Sequence, residues 1–147
     1  MRVVVANDHG AVDLAKKVLA HLDEIGVEYT YLGVGEEKNV DYPDKAREAV
    51  EEYRKGGYDR GILMCGTGIG ISLAANKMKG IRCALPQDIY ATEKTREHND
   101  ANFMALGGRV EYKDDVLKMV DAFLTVPFSG DERHMRRIEK LMALEGK

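Results

Sequence analysis

The chain has 147 residues, 44% hydrophobic and 32% charged, with a net charge of −3 and two cysteines. That is enough for one domain with a good core, and it offers neither the positive excess of a nucleic-acid or anionic-membrane binder nor a disulfide framework. Its apolar runs are far too short to span a bilayer, and Met1-Arg2 leads straight into a strand-like run with no signal peptide, so a reducing cytoplasm is the expected compartment.

Taken in order, Val3–Ala6 is β-branched and apolar, a buried strand ending in the polar cluster Asn7-Asp8-His9-Gly10. Leu14, Val18, Leu22 and Ile25 recur at helical spacing, and Gly26 stops that helix. A second strand covers 27–32, followed by a loop over 33–41. Pro43 suits the first turn of the next helix, which runs to Gly56-Gly57. Ile62–Cys65 reads as a third strand, 71–78 as a helix and 81–85 as a fourth strand. A helix over 89–97, a short strand over 102–106, a helix marked by Val116, Met119, Val120 and Phe123, and a last helix over 132–144 complete the chain. Strands alternating with helices predict a parallel sheet with helices on both faces.

The stretch 61–85 organises the rest. Between its first strand and its helix lies Cys65-Gly66-Thr67-Gly68-Ile69-Gly70, with glycine at every second position. Glycines let a ligand approach the backbone, and amides at a helix start carry partial positive charge. Such a loop can cradle a phosphate, a carboxylate or a transient oxyanion, and the same field favours a thiolate at Cys65. Familiar motifs fail here. GxGxxG and a thiol phosphatase loop both founder on Ile71, and Walker A lacks its lysine. Asp88, after a proline, reads better as a helix cap than as a ribose ligand. The plain alternative is a tight turn beside a buried cysteine.

Polar residues are expected at the carboxyl edge of the sheet, where open parallel sheets bind ligands. Asp8 and His9 follow the first strand, Cys65, Gly66 and Thr67 the third, His98 and Asn99 precede the fifth, and Arg109 follows it; Asp41 and Tyr42 belong to a nearby loop. Each has a plainer reading: Asp8 as a cap, Tyr42 as an aromatic on a turn, Cys83 as core, Asn76 as solvated helix or a support behind the glycine loop. His21 is assigned nothing. Arg133 and Arg137, one helical turn apart beside His134 and Arg136, suit a phosphate, or form a solvated face with Asp131, Glu132 and Glu139. No Cys/His spacing of the zinc type occurs.

Asn7-Asp8-His9-Gly10, the loop Cys65–Gly70 with Ala74-Ala75-Asn76-Lys77, Gly80-Ile81-Arg82, His98–Asn102, Ala105–Arg109 and Arg133-His134-x-x-Arg137 together resemble the ribose-5-phosphate isomerase B family, which includes galactose-6-phosphate isomerase subunits. The resemblance spans nearly the whole chain. It implies a Rossmann-like three-layer α/β/α sandwich with a five-stranded parallel sheet, formed by residues 1–147 as a single sugar-phosphate isomerase domain. It implies a homodimer or higher assembly, a sugar phosphate as ligand, no metal or organic cofactor, and no nucleic-acid or membrane partner.

The implied activity is interconversion of ribose 5-phosphate and ribulose 5-phosphate in the pentose phosphate pathway. By resemblance, Cys65 is the base at C2, His98 opens the furanose, and Thr67 helps move protons between O1 and O2. Gly66, Gly68, Ile69 and Gly70 belong to the loop that holds the enediolate. Asp8, His9, Tyr42 and Asn99 lie at the substrate. Arg109, Arg133 and Arg137 bind phosphate, the last two from the partner subunit, on which the helix over 131–145 packs. Members without the cysteine use a glutamate just beyond the loop; Ile71 and Ser72 stand there, which places the chain in the cysteine branch. Asn7 and the Gly10-Ala11 order depart from the common pattern. A hexose 6-phosphate isomerase, and a phosphosugar-binding module without catalysis, are the competing readings.

Overall fold

The run Val3-Val4-Val5 forms the centre of β1 (Arg2–Asn7) and is buried throughout, as a parallel strand covered on both faces must be. The structure is a computed structural model describing residues 1–36 and 38–146; Glu37, within the loop expected over 33–41, and Lys147 lie outside the described residues. The other strands are β2 (Glu28–Tyr31), β3 (Arg60–Cys65), β4 (Cys83–Ala84) and β5 (Phe103–Gly107). They form a five-stranded, all-parallel sheet in the order β2-β1-β3-β5-β4. In the central register Val5 lies opposite Ile62, and Ile62 opposite Met104.

Alternation along β1 divides the core in two. Val3 and Val5 face α1 (Val12–Glu24) and α5 (Val116–Thr125), packing with Val18, Leu22, Val120 and Phe123; Ile89 of α4 (Ile89–Glu97) joins them. Val4 and Ala6 face α2 (Tyr42–Arg54) and α3 (Ile69–Asn76), with Ala46, Val50, Ile71 and Ala75. Helices therefore flank the sheet on both faces. α6 (Glu132–Ala143) stands apart, with His134 as its buried residue. Among the described residues no helix is long and apolar enough to cross a membrane.

Local signals explain most boundaries. Pro43 sits in the first turn of α2. Asp88 caps α4, accepting from the Ala91 amide at 2.7 Å. Ile25 ends the α1 stripe exposed, at the C-cap. The fourth strand is shorter than the expected 81–85. Its neighbouring amides are taken by side chains: Arg82 N donates to Asn102 Oδ1 and Cys83 N to Asn76 Oδ1, each at 2.8 Å. Asn76 Nδ2 also donates to the Cys83 carbonyl at 2.8 Å. Asn76 thus clamps the edge strand and does not support the glycine loop.

Candidate active site

β3 ends in Cys65, which is 4% exposed and faces the α2–α3 layer. The chain then turns sharply. Gly68 has φ +80°, and a methyl placed on it would lie 2.9 Å from the Leu106 carbonyl carbon, so a side chain is excluded twice over. The turn brings the Gly68 amide to 3.2 Å from Cys65 Sγ as a donor. Thr67 Oγ1 accepts from the Ile69 amide at 3.1 Å. The amides of Gly66, Thr67 and Gly70 meet no acceptor among the described residues. They open at the start of α3, where the helix dipole adds to their positive character.

The end of β1 lies against this loop. The Asp8 amide donates to the Met64 carbonyl at 3.0 Å. Asp8 Oδ1 accepts from Gly10 N at 2.8 Å, capping the short turn His9–Ala11 as expected. A methyl on Gly10 would lie 2.7 Å from the Gly66 nitrogen, so the two loops are in direct contact. His9 Nδ1 accepts from Val40 N at 3.3 Å. The Tyr42 ring packs on Gly70, and the Arg109 guanidinium covers Gly66. Gly108 N donates to the Cys65 carbonyl at 2.8 Å and Arg109 N to the Gly66 carbonyl at 2.9 Å, which fixes where Arg109 emerges. Asp8, His9, Tyr42, the loop 65–70 and Arg109 therefore gather at the carboxyl edge.

His98 and Asn99 do not join them, contrary to expectation. A crossover helix runs against its strands, so the end of α4 lies at the amino edge of the sheet. The contacts agree. Gly61 N, near the start of β3, donates to Asn102 O at 2.9 Å. Arg60 is held below its usual pKa first by burial, then by the nearby charge of Arg96, with Asp100 opposing. With five residues in β5, roughly 15 Å separate the two edges.

The α6 cluster belongs with His98. The His134 and His98 ring centroids are 4.3 Å apart, with planes at 34°. Arg133 and Arg137 are exposed. Arg133 Nε lies 3.7 Å from Asp131, and among the described residues Arg137 has no carboxylate within ion-pair distance. Arg133 is thus paired in part, and Arg137 faces solvent.

Two supporting residues were not singled out from the sequence. Asn7, fully buried, donates to the carbonyls of Asp8 (2.9 Å) and Val34 (3.1 Å) and accepts from Tyr31 Oη (2.7 Å), tying β1 and β2 to the following loop. A polar residue closing an apolar strand was its available signal. Tyr112 Oη accepts from Gly107 N at 2.9 Å. Burial pushes its phenol above the usual value, the Gly107 bond opposes, and the Cys65 charge adds to the rise. Nothing in the sequence pointed to it. Cys83, expected in the core, is half-buried against the α2–α3 layer, and burial pushes its thiol up to about 12. His21 Nε2, 2.6 Å from Asp121, joins α1 to α5.

Residues 3–141 match the family model described as Ribose/Galactose Isomerase. The chain belongs to the ribose/galactose isomerase family. Ribose-5-phosphate isomerase B of Escherichia coli (strain K12) is 38% identical to it over 144 residues, 98% of this chain and 96% of that one. Ribose-5-phosphate isomerase B of Clostridium thermocellum matches the structure with a TM-score of 0.94 at 41% identity, covering 99% of this chain and 98% of the other. Ribose-5-phosphate isomerase B of Mycoplasma genitalium with bound ribulose-5-phosphate matches with a TM-score of 0.90 at 35% identity, covering 99% and 97%. The protein is a sugar phosphate isomerase of this family. In the isomerase, the thiol and the open amides occupy one edge of the sheet, and the His98 imidazole and the exposed arginines the other.

Proposed function

We propose that the protein interconverts ribose 5-phosphate and ribulose 5-phosphate through a cis-enediolate, with residues 1–147 acting as one isomerase domain. We propose further that it works as a homodimer, each site taking its thiol loop from one subunit and His98, Asn99, Arg133 and Arg137 from the other. One observation carries the chemistry: Cys65 Sγ lies 3.2 Å from the Gly68 amide, beside loop amides without acceptors. The pentose is supported by the ribulose-5-phosphate bound to the Mycoplasma genitalium relative. Exposed apolar side chains at both edges support a subunit contact: Ile69 and Leu73 on α3 (51% and 62%), Met135 and Leu141 on α6 (both 47%).

The steps balance as follows. In the furanose, an acid delivers a proton to O4 while the C1–O4 bond breaks and the O1 proton is lost, giving the aldehyde; His98 serves because imidazole gains and loses protons near neutral pH. The Cys65 thiolate removes the proton from C2. The C2–H electron pair forms the C1=C2 double bond, and charge passes to O1, where the loop amides receive it. Thr67 carries a proton from O2 to O1, C2=O forms, and Cys65 returns its proton to C1. Arg109, Arg133 and Arg137 hold the phosphate, so that remote binding energy aligns C2 with the sulfur.

The test is turnover followed by NMR in D₂O with ribose 5-phosphate, and in parallel allose 6-phosphate and galactose 6-phosphate. Formation of ribulose 5-phosphate carrying solvent deuterium at C1 is the expected result. Turnover of a hexose phosphate alone keeps the mechanism and changes the substrate. Binding without conversion returns the protein to a phosphosugar-binding role. The shared site has its own test: Cys65→Ala and His98→Asn subunits, each inactive, regain activity when mixed and allowed to exchange. Absence of regain with exchange demonstrated would place each site within one chain.

A further inference from the structure

One buried titratable side chain has no part in these steps. His134 is 5% exposed, on a helix whose apolar residues Met135 and Leu141 stay in solvent. A surface helix ordinarily buries an apolar stripe; here the residue taken inside is an imidazole. Its ring lies on that of His98, with centroids 4.3 Å apart. Its Nδ1 is 2.8 Å from Ser129 Oγ. Ser129 Oγ also accepts from Asp131 N at 3.0 Å, and Ser129 N donates to the Glu97 carbonyl at 3.1 Å. The Ser129 hydroxyl and His134 Nδ1 share one hydrogen bond, which fixes the ring whichever atom donates. The loop before α6 is thereby anchored to the end of α4, and the anchor presses on His98.

We propose that His134 is a positioning residue for ring opening: fixed by Ser129, it holds the His98 imidazole in place and stays neutral, so that His98 alone carries the proton. This rests on the ring-opening role given to His98 above. The surroundings act in the required direction. Burial keeps His134 below the usual imidazole value, and positive charge on His98, Arg133 and Arg137 acts the same way, while Asp131 opposes. From α4, Glu97 also faces the pair, but it is bound to Lys94 at 2.8 Å. At this separation a proton on His98 disfavours one on His134.

Two readouts separate positioning from mere packing. Ribulose 5-phosphate has no free O5 and stays acyclic, so deuterium exchange at its C1 reports proton abstraction without ring opening. His134→Ala is expected to slow conversion of ribose 5-phosphate about tenfold, less than the ~10²–10⁴ expected for loss of the acid–base group itself, and to leave C1 exchange unchanged. Equal loss in both assays, or loss in neither, overturns the proposal. Ser129→Ala releases the tether without removing the ring; it should slow only ribose conversion, about threefold, and decides the matter if His134→Ala does not fold. The second readout is an NMR titration: the His134 ring should titrate at higher pH in His98→Asn than in the wild type, and an identical titration overturns the coupling. If His98→Asn instead slows ribose conversion and C1 exchange equally, the ring-opening role of His98 is what fails, and the titration still reports the coupling separately.

Discussion

The two edges of the sheet are built on different principles. At the carboxyl edge the reactive groups are a buried strand end and the backbone of a turn, fixed by β1, β3 and β5 together. The Gly68 amide closes the turn on Cys65, and the Asp8 and Gly108 amides lock the neighbouring segments to the end of β3. At the amino edge the groups are side chains on the end of α4 and on an exposed α6, held by one buried imidazole. The first edge is fixed by backbone hydrogen bonds among the strands. The second depends on side-chain contacts. A chemistry needing a placed base and an oxyanion site belongs on the first; proton delivery and phosphate capture tolerate the second.

Substitutions can break or sharpen this contrast. Cys65→Ala should cost up to ~10⁴ in kcat for both ribose conversion and C1 exchange while the circular dichroism spectrum stays unchanged; turnover near the wild-type rate would remove the thiol from the base role. His98→Asn should cost ~10² on ribose 5-phosphate and little on C1 exchange, so that the edges separate by chemical step. Arg137→Ala should raise KM about tenfold with kcat nearly constant, as for loss of one charged hydrogen bond, whereas an unchanged KM would assign the arginine to solvent.

Acid should act on the second edge. His134 is held below its unfolded pKa, so the unfolded chain binds that proton more tightly. Its contribution to stability is present in full above the ordinary imidazole value of about 6.5 and is lost as pH falls from there through the lower folded value. Thermal melts from pH 7.5 to 5 should show a drop that is smaller in His134→Phe. The smallest effect is at a helix cap outside the proposed chemistry: Asp88→Ala removes the α4 cap and should cost about 1 kcal/mol in a denaturant melt, with kcat unchanged.

The fold was legible because its signals are local: valine runs for strands, the α1 stripe, Pro43 and Asp88 at helix starts. The carboxyl-edge group was legible too, since residues directly after parallel strands share an edge. His98 misled because it precedes a strand in sequence and was placed with residues that follow strands; the direction of α4 carries it to the opposite side. Asn7, Tyr112 and Asn76 act through backbone partners in adjoining turns and strands, and residue type alone does not announce such partners. The pairing of His134 with His98 joins a helix end to a helix start across the α5 connection, beyond the reach of any periodicity.

The Asn76 clamp on β4 has a further consequence. In a parallel edge strand alternate residues point their amide and carbonyl outward, and at Cys83 both are already taken by one side-chain amide. An incoming extended chain finds no partner there, so the sheet is closed to growth at that border without a covering helix. Of the two borders of the sheet, β2 is left as the one where strand pairing could extend, and Asn76→Ala would uncover the Cys83 amide and carbonyl at the other.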